Sequence, residues 1–204
     1  MKACNGFSWR HNEVGAMWAA NLRRWNDGSP IQVLVIGKEK VDSSNPEYRL
    51  ALSEAYRVGQ LLARNGIVAI TGGLGGVMDA VARGVAEEGG ISVGIIPTLS
   101  PEERLTRPVS THLAVRVETG VEQRSRIPML VRSCHAVIVI SGGMGAWLEA
   151  ALALAEGIPI ITLPHTGGTA ARLPKEPPFD AKVLVAADAE EAVQLALTTI
   201  GHGG

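Results

Sequence analysis

The sequence predicts an α/β fold: a doubly wound, mainly parallel sheet of about seven strands with helices on both faces. Three observations point to it. Short apolar, β-branched runs alternate along the chain with stretches of helical periodicity. The runs are nearly continuous in apolar character rather than alternating, as expected of strands buried on both faces. Two glycine clusters, Thr71-Gly72-Gly73-Leu74-Gly75-Gly76 and Ser141-Gly142-Gly143-Met144-Gly145, each stand after such a run and before a helical stretch. That is the strand–loop–helix grammar of a Rossmann-like domain.

The elements follow in order. Residues 1–30 differ from the rest and read as an N-terminal helical extension. They hold three of the four tryptophans, Trp9, Trp18 and Trp25, and Val14, Met17, Trp18, Leu22 and Trp25 recur at helical spacing. Asn26 to Pro30 stops that helix, which would pack on the domain or on a second subunit. A membrane-surface helix fits less well, because the polar face is not strongly basic. Residues 31–204 read as one domain. Residues 31–37 form a buried strand ending in Gly37. Residues 46–65 form a helix, with Asn45 as N-cap, Pro46 at its first position and Gly66 past its end. A strand at 67–70 leads into the first glycine loop and a helix at 77–88, closed by Gly89-Gly90. A strand at 91–96 stops at Pro97, and another is expected at 112–117. Helical residues follow from about 121 to 132, although Pro128 must delay or kink the helix there because it lacks an N–H. A strand at 135–140 precedes the second glycine loop and a helix to residue 156. Strands at 158–163 and 183–185 and a helix at 189–200 complete the chain. The segments 101–110 and 165–180 read as loops long enough to be lids or subunit contacts.

Composition narrows the function. With 204 residues and 46% apolar content, the chain can build one sizeable core. A formal net charge of -1 with no long run of one sign argues against nucleic acid held by bulk electrostatics. The two cysteines, Cys4 and Cys134, suggest a reduced, cytoplasmic chain rather than a disulfide scaffold. His112, His135 and His165 lack metal-like spacing and read as structural, so no metal site is expected. No apolar stretch of about 18 residues is free of charge, so no membrane span is expected, and Arg10, His11, Glu13, Arg23 and Arg24 interrupt any signal-peptide core.

Right-handed crossovers place both glycine loops on the edge where the strands end, so they can share one ligand. Backbone N–H groups and helix N-termini there suit an anion such as a phosphate. No Gly-Lys-Ser/Thr follows either loop, which excludes a P-loop. Met78 and Leu148 occupy the third glycine position of the dinucleotide fingerprint, and no acid ends the strand after the first loop, so a nicotinamide dehydrogenase fits poorly. Ligand-binding candidates are Gly37, Lys38, Gly72, Gly73, Gly75, Gly76, Met78, Ser141, Gly142, Gly143, Met144, Gly145 and Ala146. Lys38 could meet a phosphate or be a solvated lysine, and Met78 and Trp147 suit core or pocket wall.

Thr71 to Met78, Gly89-Gly90, Gly94-Ile95-Ile96-Pro97, and Gly142, Gly143, Gly145 and Glu149 together resemble the motifs of the Lonely-guy and molybdenum-cofactor-carrier superfamily. The resemblance runs over about residues 31–163. It implies that Arg124 and Glu149 are the catalytic pair if the chain is a phosphoribohydrolase. Such an enzyme cleaves the N-glycosidic bond of a nucleoside 5′-monophosphate to free base and ribose 5-phosphate without a cofactor. A carboxylate would stabilise positive charge building on the sugar or orient water. Three features depart from the hydrolase pattern. Ala146 replaces a threonine, whose hydroxyl would add a phosphate hydrogen bond worth roughly 1 kcal/mol. Arg124 lacks the lysine that usually follows it, and Pro128 stands four residues later. These bring the chain nearer the carrier-like branch, whose ligand, the molybdenum cofactor, is a pterin with a terminal phosphate. The expectation is a carrier-like binder of a phosphorylated heterocycle that forms homodimers or homotetramers, the alternative being the hydrolase. An orphan nucleotide-binding domain with a regulatory role is a third option.

Overall fold

The structure, a computed structural model, describes residues 29–40, 44–180 and 182–201. The expected helix before Pro30 therefore lies almost wholly outside the described residues. Seven strands form one sheet in the order β4-β3-β2-β1-β5-β6-β7, with every pair parallel. They are β1 Gln32–Gly37, β2 Val68–Thr71, β3 Ser92–Ile96, β4 Val115–Glu118, β5 Ala136–Ile140, β6 Ile160–Leu163 and β7 Val183–Val185. The helices are α1 Pro46–Arg64, α2 Val77–Glu87, α3 Pro101–Thr106, α4 Ile127–Arg132, α5 Met144–Ala155, α6 Gly168–Arg172 and α7 Ala189–Gly201.

The apolar strands bury both faces. Val33, Val35, Ile138 and Ile140 point into a core beneath α1, α2 and α7. The intervening Leu34, Ile36, Val137 and Val139 point into a second core beneath α4, α5 and α6. This is the period-two alternation of a strand with no solvent face. All of β5 is buried, and each of its larger side chains contributes about 1.5–3 kcal/mol by leaving water. The strand order reverses between β1, which leads outward through β2 to β4, and β5, which leads outward to β7. The crevice beyond the ends of β1 and β5 is the topological switch point, where open sheets of this kind place ligands.

Four segments differ from the expected elements. The strand expected at 112–117 begins only at Val115, because residues before it are tied elsewhere: the Ser110 N–H donates to Gly73 O and the Ala114 N–H to Ser92 Oγ. The helical stretch expected from 121 starts at Ile127, with Pro128 in its first turn, where a missing N–H costs nothing. Residues 101–110 contain α3, whose capping box pairs Ser100 with Glu103. Residues 165–180 hold α6 between two 3-10 turns and pack beneath the second glycine loop.

Candidate functional site

A cleft of about 250 Å³ opens at the switch point. One wall is the end of β1 and its loop, Val35 to Lys40. The opposite wall is the start of α5, with Gly143, Gly145, Ala146 and Glu149. Gly72, Met78, Gln123 and Arg126 complete it. Gly37 permits this closeness of β1, β5 and α2. A Cβ there would lie 2.4 Å from Ile140 O and 2.5 Å from a Val77 methyl, so no larger residue fits without displacement.

The two glycine loops are used differently. In the first, only Gly72 and the following Met78 line the cleft. The Gly73 N–H donates to Thr71 Oγ1 at 3.1 Å, and its carbonyl accepts from the Ser110 N–H at 2.9 Å. Gly75 and Gly76 pack against the main chain of Glu39, and the Val77 N–H at the start of α2 donates to Lys38 O at 3.0 Å. The N-terminus of α2 thus anchors the β1 loop. In the second loop, the carbonyls of residues 141–143 are all engaged from behind. Ser141 O accepts from the Ala170 N–H at 3.0 Å, Gly142 O from the Thr169 N–H at 3.0 Å, and Gly143 O from the Thr169 hydroxyl at 2.9 Å. The Ser141 N–H donates to Thr166 Oγ1 at 2.7 Å. Ser141 itself has φ 55°, the only non-glycine residue with positive φ among the described residues, and Gly142 follows at φ 108°. These two left-handed steps swing the chain into α5 with its carbonyls turned away from the cleft. Gly143 caps α5 without a side-chain hydrogen bond, so the first-turn N–H groups and the positive helix end face outward.

Two ionisable groups meet at the cleft floor. Arg126, 3% exposed, precedes α4 and reaches under the first loop, where Nη1 donates to Gly72 O at 2.7 Å and to Ile95 O. Its Nε is buried without a partner. Burial lowers the Arg126 pKa below the ordinary guanidinium range, and Glu149 opposes that shift. Glu149, half-buried on the second turn of α5, is pushed up from 4.5 to about 7 by desolvation, against the pull of Arg126. At neutral pH its carboxyl is therefore close to half protonated. Glu39 on the β1 loop is held by Arg107, which bonds its two oxygens at 2.6 and 2.9 Å and also reaches Gln123 at 2.5 Å. Lys38 points its ammonium at the Tyr48 hydroxyl and ring.

Of the residues singled out in the sequence, Gly37, Lys38, Gly72, Met78, Gly143, Gly145, Ala146 and Glu149 line the cleft. Gly73, Gly75, Gly76, Ser141 and Gly142 shape it from behind, and Met144 is 70% exposed beside it. Arg124 is exposed on the turn before α4 and lies outside the lining. Arg126, two residues on, is the arginine that reaches the floor. Its signal was Pro128: a helix starting at Ile127 makes residue 126 the N-cap. Glu39, Lys40, Gln123, Thr166 and Thr169 had no motif to mark them. The histidines have structural partners: Nδ1 of His135 accepts from the Gln32 N–H, His112 meets Asp79, and His165 meets Glu54. Among the described residues, no cluster of His, Cys, Asp and Glu could hold a metal ion.

Comparison with known proteins agrees with this fold. Solved structures that match include TM1055, a structural genomics target, at 30% identity and a TM-score of 0.73, covering 82% of this chain and 99% of that one. The molybdenum cofactor binding protein from the phototrophic bacterium Rippkaea orientalis matches at 27% identity and a TM-score of 0.71, over 85% of this chain and 99% of that one. A protein of Archaeoglobus fulgidus with no assigned function is 37% identical over 133 residues, 65% of this chain and 80% of the relative. These likenesses place the chain within the Rossmann-like Lonely-guy superfamily. The family model that matches spans residues 30–193, and the chain belongs to the SLOG cluster4 family.

Proposed function

We propose that this protein binds a phosphorylated heterocycle, nucleotide-like or the molybdenum cofactor, and acts as a carrier. The observation that carries this reading is the second glycine loop. Its carbonyls are engaged by Thr169 and Ala170, while the first turn of α5 opens into a cleft that holds Lys38, Lys40 and the buried Arg126. An anion there gains N–H donors, the helix dipole and cationic side chains together. The terminal phosphate would lie on Gly143, Gly145 and Ala146, with the heterocycle between Met78 and the β1 loop. Arg126 takes the role that the sequence resemblance gave to Arg124. Its partnerless Nε and the open first turn of α5 are the features that fit such a ligand. Sequence likeness to the molybdenum cofactor binding protein of Rippkaea orientalis supports the binding part of this reading. A cytoplasmic location and self-association as a homodimer or homotetramer belong to the same proposal.

One observation favours hydrolysis instead. A carboxyl with a pKa of about 7 suits proton transfer at neutral pH, and Glu149 stands where it could face a sugar. The two readings part in one experiment. The purified protein is examined by native mass spectrometry for its mass and retained ligand, then assayed with a panel of nucleoside 5′-monophosphates for released base. A co-purifying pterin phosphate with no base release supports the carrier. Base release that Glu149→Gln abolishes while the fold persists supports the hydrolase and overturns the carrier.

A further inference from the structure

A parallel sheet normally has both faces covered, since its crossover helices lie on them. Here the described residues cover one face only in part. On the side of α4 and α5, the outer strands β2, β3 and β4 leave a groove of about 350 Å³. Its walls are mostly apolar, Val68, Ile70, Val93, Ile95, Val117 and Met129, with the uncharged polar Gln32, Thr119 and Ser133 beside them. Val117 and Met129 are 42% and 43% exposed, and Val115, on the same face of β4, is 45% exposed. The cause lies in the sequence. Pro128 shortens α4 to six residues, so it covers little beyond the inner strands. Among the described elements, β4 packs extensively on β3 alone.

We propose that residues 1–28 of this same chain cover that groove, laying the face formed by Val14, Met17, Trp18, Leu22 and Trp25 over β2, β3 and β4. The described chain begins at Ser29, and Gln32, three residues later, lines the near end of the groove. The preceding segment therefore emerges beside it. The dimensions agree. From β1 to β4 is three strand spacings, about 14 Å. Residues 14–25, as the helix their spacing predicts, span about 18 Å. The seven-residue link from Trp25 to Gln32 reaches up to about 23 Å, enough to turn back onto the sheet. The chemistry agrees as well. The groove offers apolar surface with no charged side chain in its lining, and the segment carries three of the chain's four tryptophans in or beside an apolar stripe. This surface is separate from the cleft and does not depend on what the cleft binds.

Tryptophan accessibility in the full-length chain tests the proposal. Trp147, packed edge-on against Phe179, supplies a constant background, so most of the signal comes from residues 1–28. Expected is a blue-shifted emission protected from acrylamide. In Val117→Asp it shifts to the red, and quenching rises towards that of a peptide of residues 1–28. Met129→Glu does the same by a second route, and both sites are exposed enough for circular dichroism to stay native. Wild-type tryptophans as accessible as in the peptide would overturn the proposal. So would protection that is lost on dilution, which would mean that a second copy supplies the segment. A dimer broken by Val117→Asp with tryptophan protection unchanged would assign the groove to a copy interface instead, and also overturn it.

Discussion

Glu149→Gln tests the electrostatics of the cleft most directly. Burial raises the Glu149 carboxyl from 4.5 to about 7 in the folded chain, with Arg126 opposing. At about 1.4 kcal/mol for each tenfold change in proton affinity, the folded state disfavours the ionised carboxylate by about 3 kcal/mol. The sign follows from proton uptake. Below pH 4.5 the group is protonated in both folded and unfolded chains, and the penalty is absent. Between 4.5 and about 7 the unfolded chain loses the proton first, so this residue makes stability fall as pH rises. Above about 7 both states are ionised, and the full penalty remains. Glutamine keeps the shape and cannot ionise. Glu149→Gln should therefore unfold in urea much like the parent at pH 4.5, and be more stable at pH 8 by up to about 3 kcal/mol. Taking the difference between the two proteins at each pH cancels every other titrating group. A difference that does not change between pH 4.5 and 8, or a variant less stable than the parent at pH 8, would refute this account of the cleft floor.

Four further outcomes follow from the same structure. Gly143→Ala should cost the fold no more than about 1 kcal/mol, because a Cβ there meets nothing within 4 Å and only the N-cap preference for glycine over alanine is lost, yet weaken the proposed anion binding, measured by calorimetry with nucleoside monophosphates. Gly142→Ala should instead destabilise the fold by about 1–3 kcal/mol in urea, since its φ of 108° excludes a side chain and its Cβ would lie 2.7 Å from that of Ala146. Arg126→Met should cost about 3 kcal/mol by stripping Gly72 O and Ile95 O of a charged donor, and an NMR titration should place Glu149 above its parent value once the opposing cation is gone. Cys134, fully enclosed with its thiol pushed up to about 12, should resist thiol reagents in a Cys4→Ser background until the chain unfolds.

The strands were legible because burial on both faces leaves a crude signal: runs such as Val33 to Ile36 and Val137 to Ile140 are apolar at every position. The sheet edge shared by the glycine loops was legible too, because crossover handedness admits few arrangements. The segments that differ were decided by contacts distant in sequence. Ser110 is drawn to Gly73 and Asp79, which delays β4. Residues 165–180 read as a possible lid because nothing local says that Thr166 and Thr169 will bond the loop after β5, more than twenty residues earlier. Motif spacing pointed to Arg124, but which arginine enters the cleft depends on where the helix starts. Pro128 sets that start, and it leaves Arg124 outside the lining while Arg126 turns inward.

Similar wording in the two glycine loops conceals a division of labour that helix capping explains. A helix N-terminus can hold an anion only while its first N–H groups are unspent. In α2 the Val77 N–H is spent on Lys38 O, which fixes the β1 loop as one cleft wall and brings Lys38, Glu39 and Lys40 to the rim. In α5 the loop carbonyls are spent instead, on Thr169 and Ala170, and the first N–H groups stay open. Charge follows the same asymmetry. Arg107 holds Glu39, and desolvation keeps Glu149 partly neutral, so Arg126 and the two lysines dominate the cleft. An anion bound on the first turn of α5 would raise the Glu149 pKa further by like-charge repulsion, so ligand uptake near pH 7 should take up protons. That coupling would tie the proposed anion site to the carboxyl, under the carrier reading and the hydrolase reading alike.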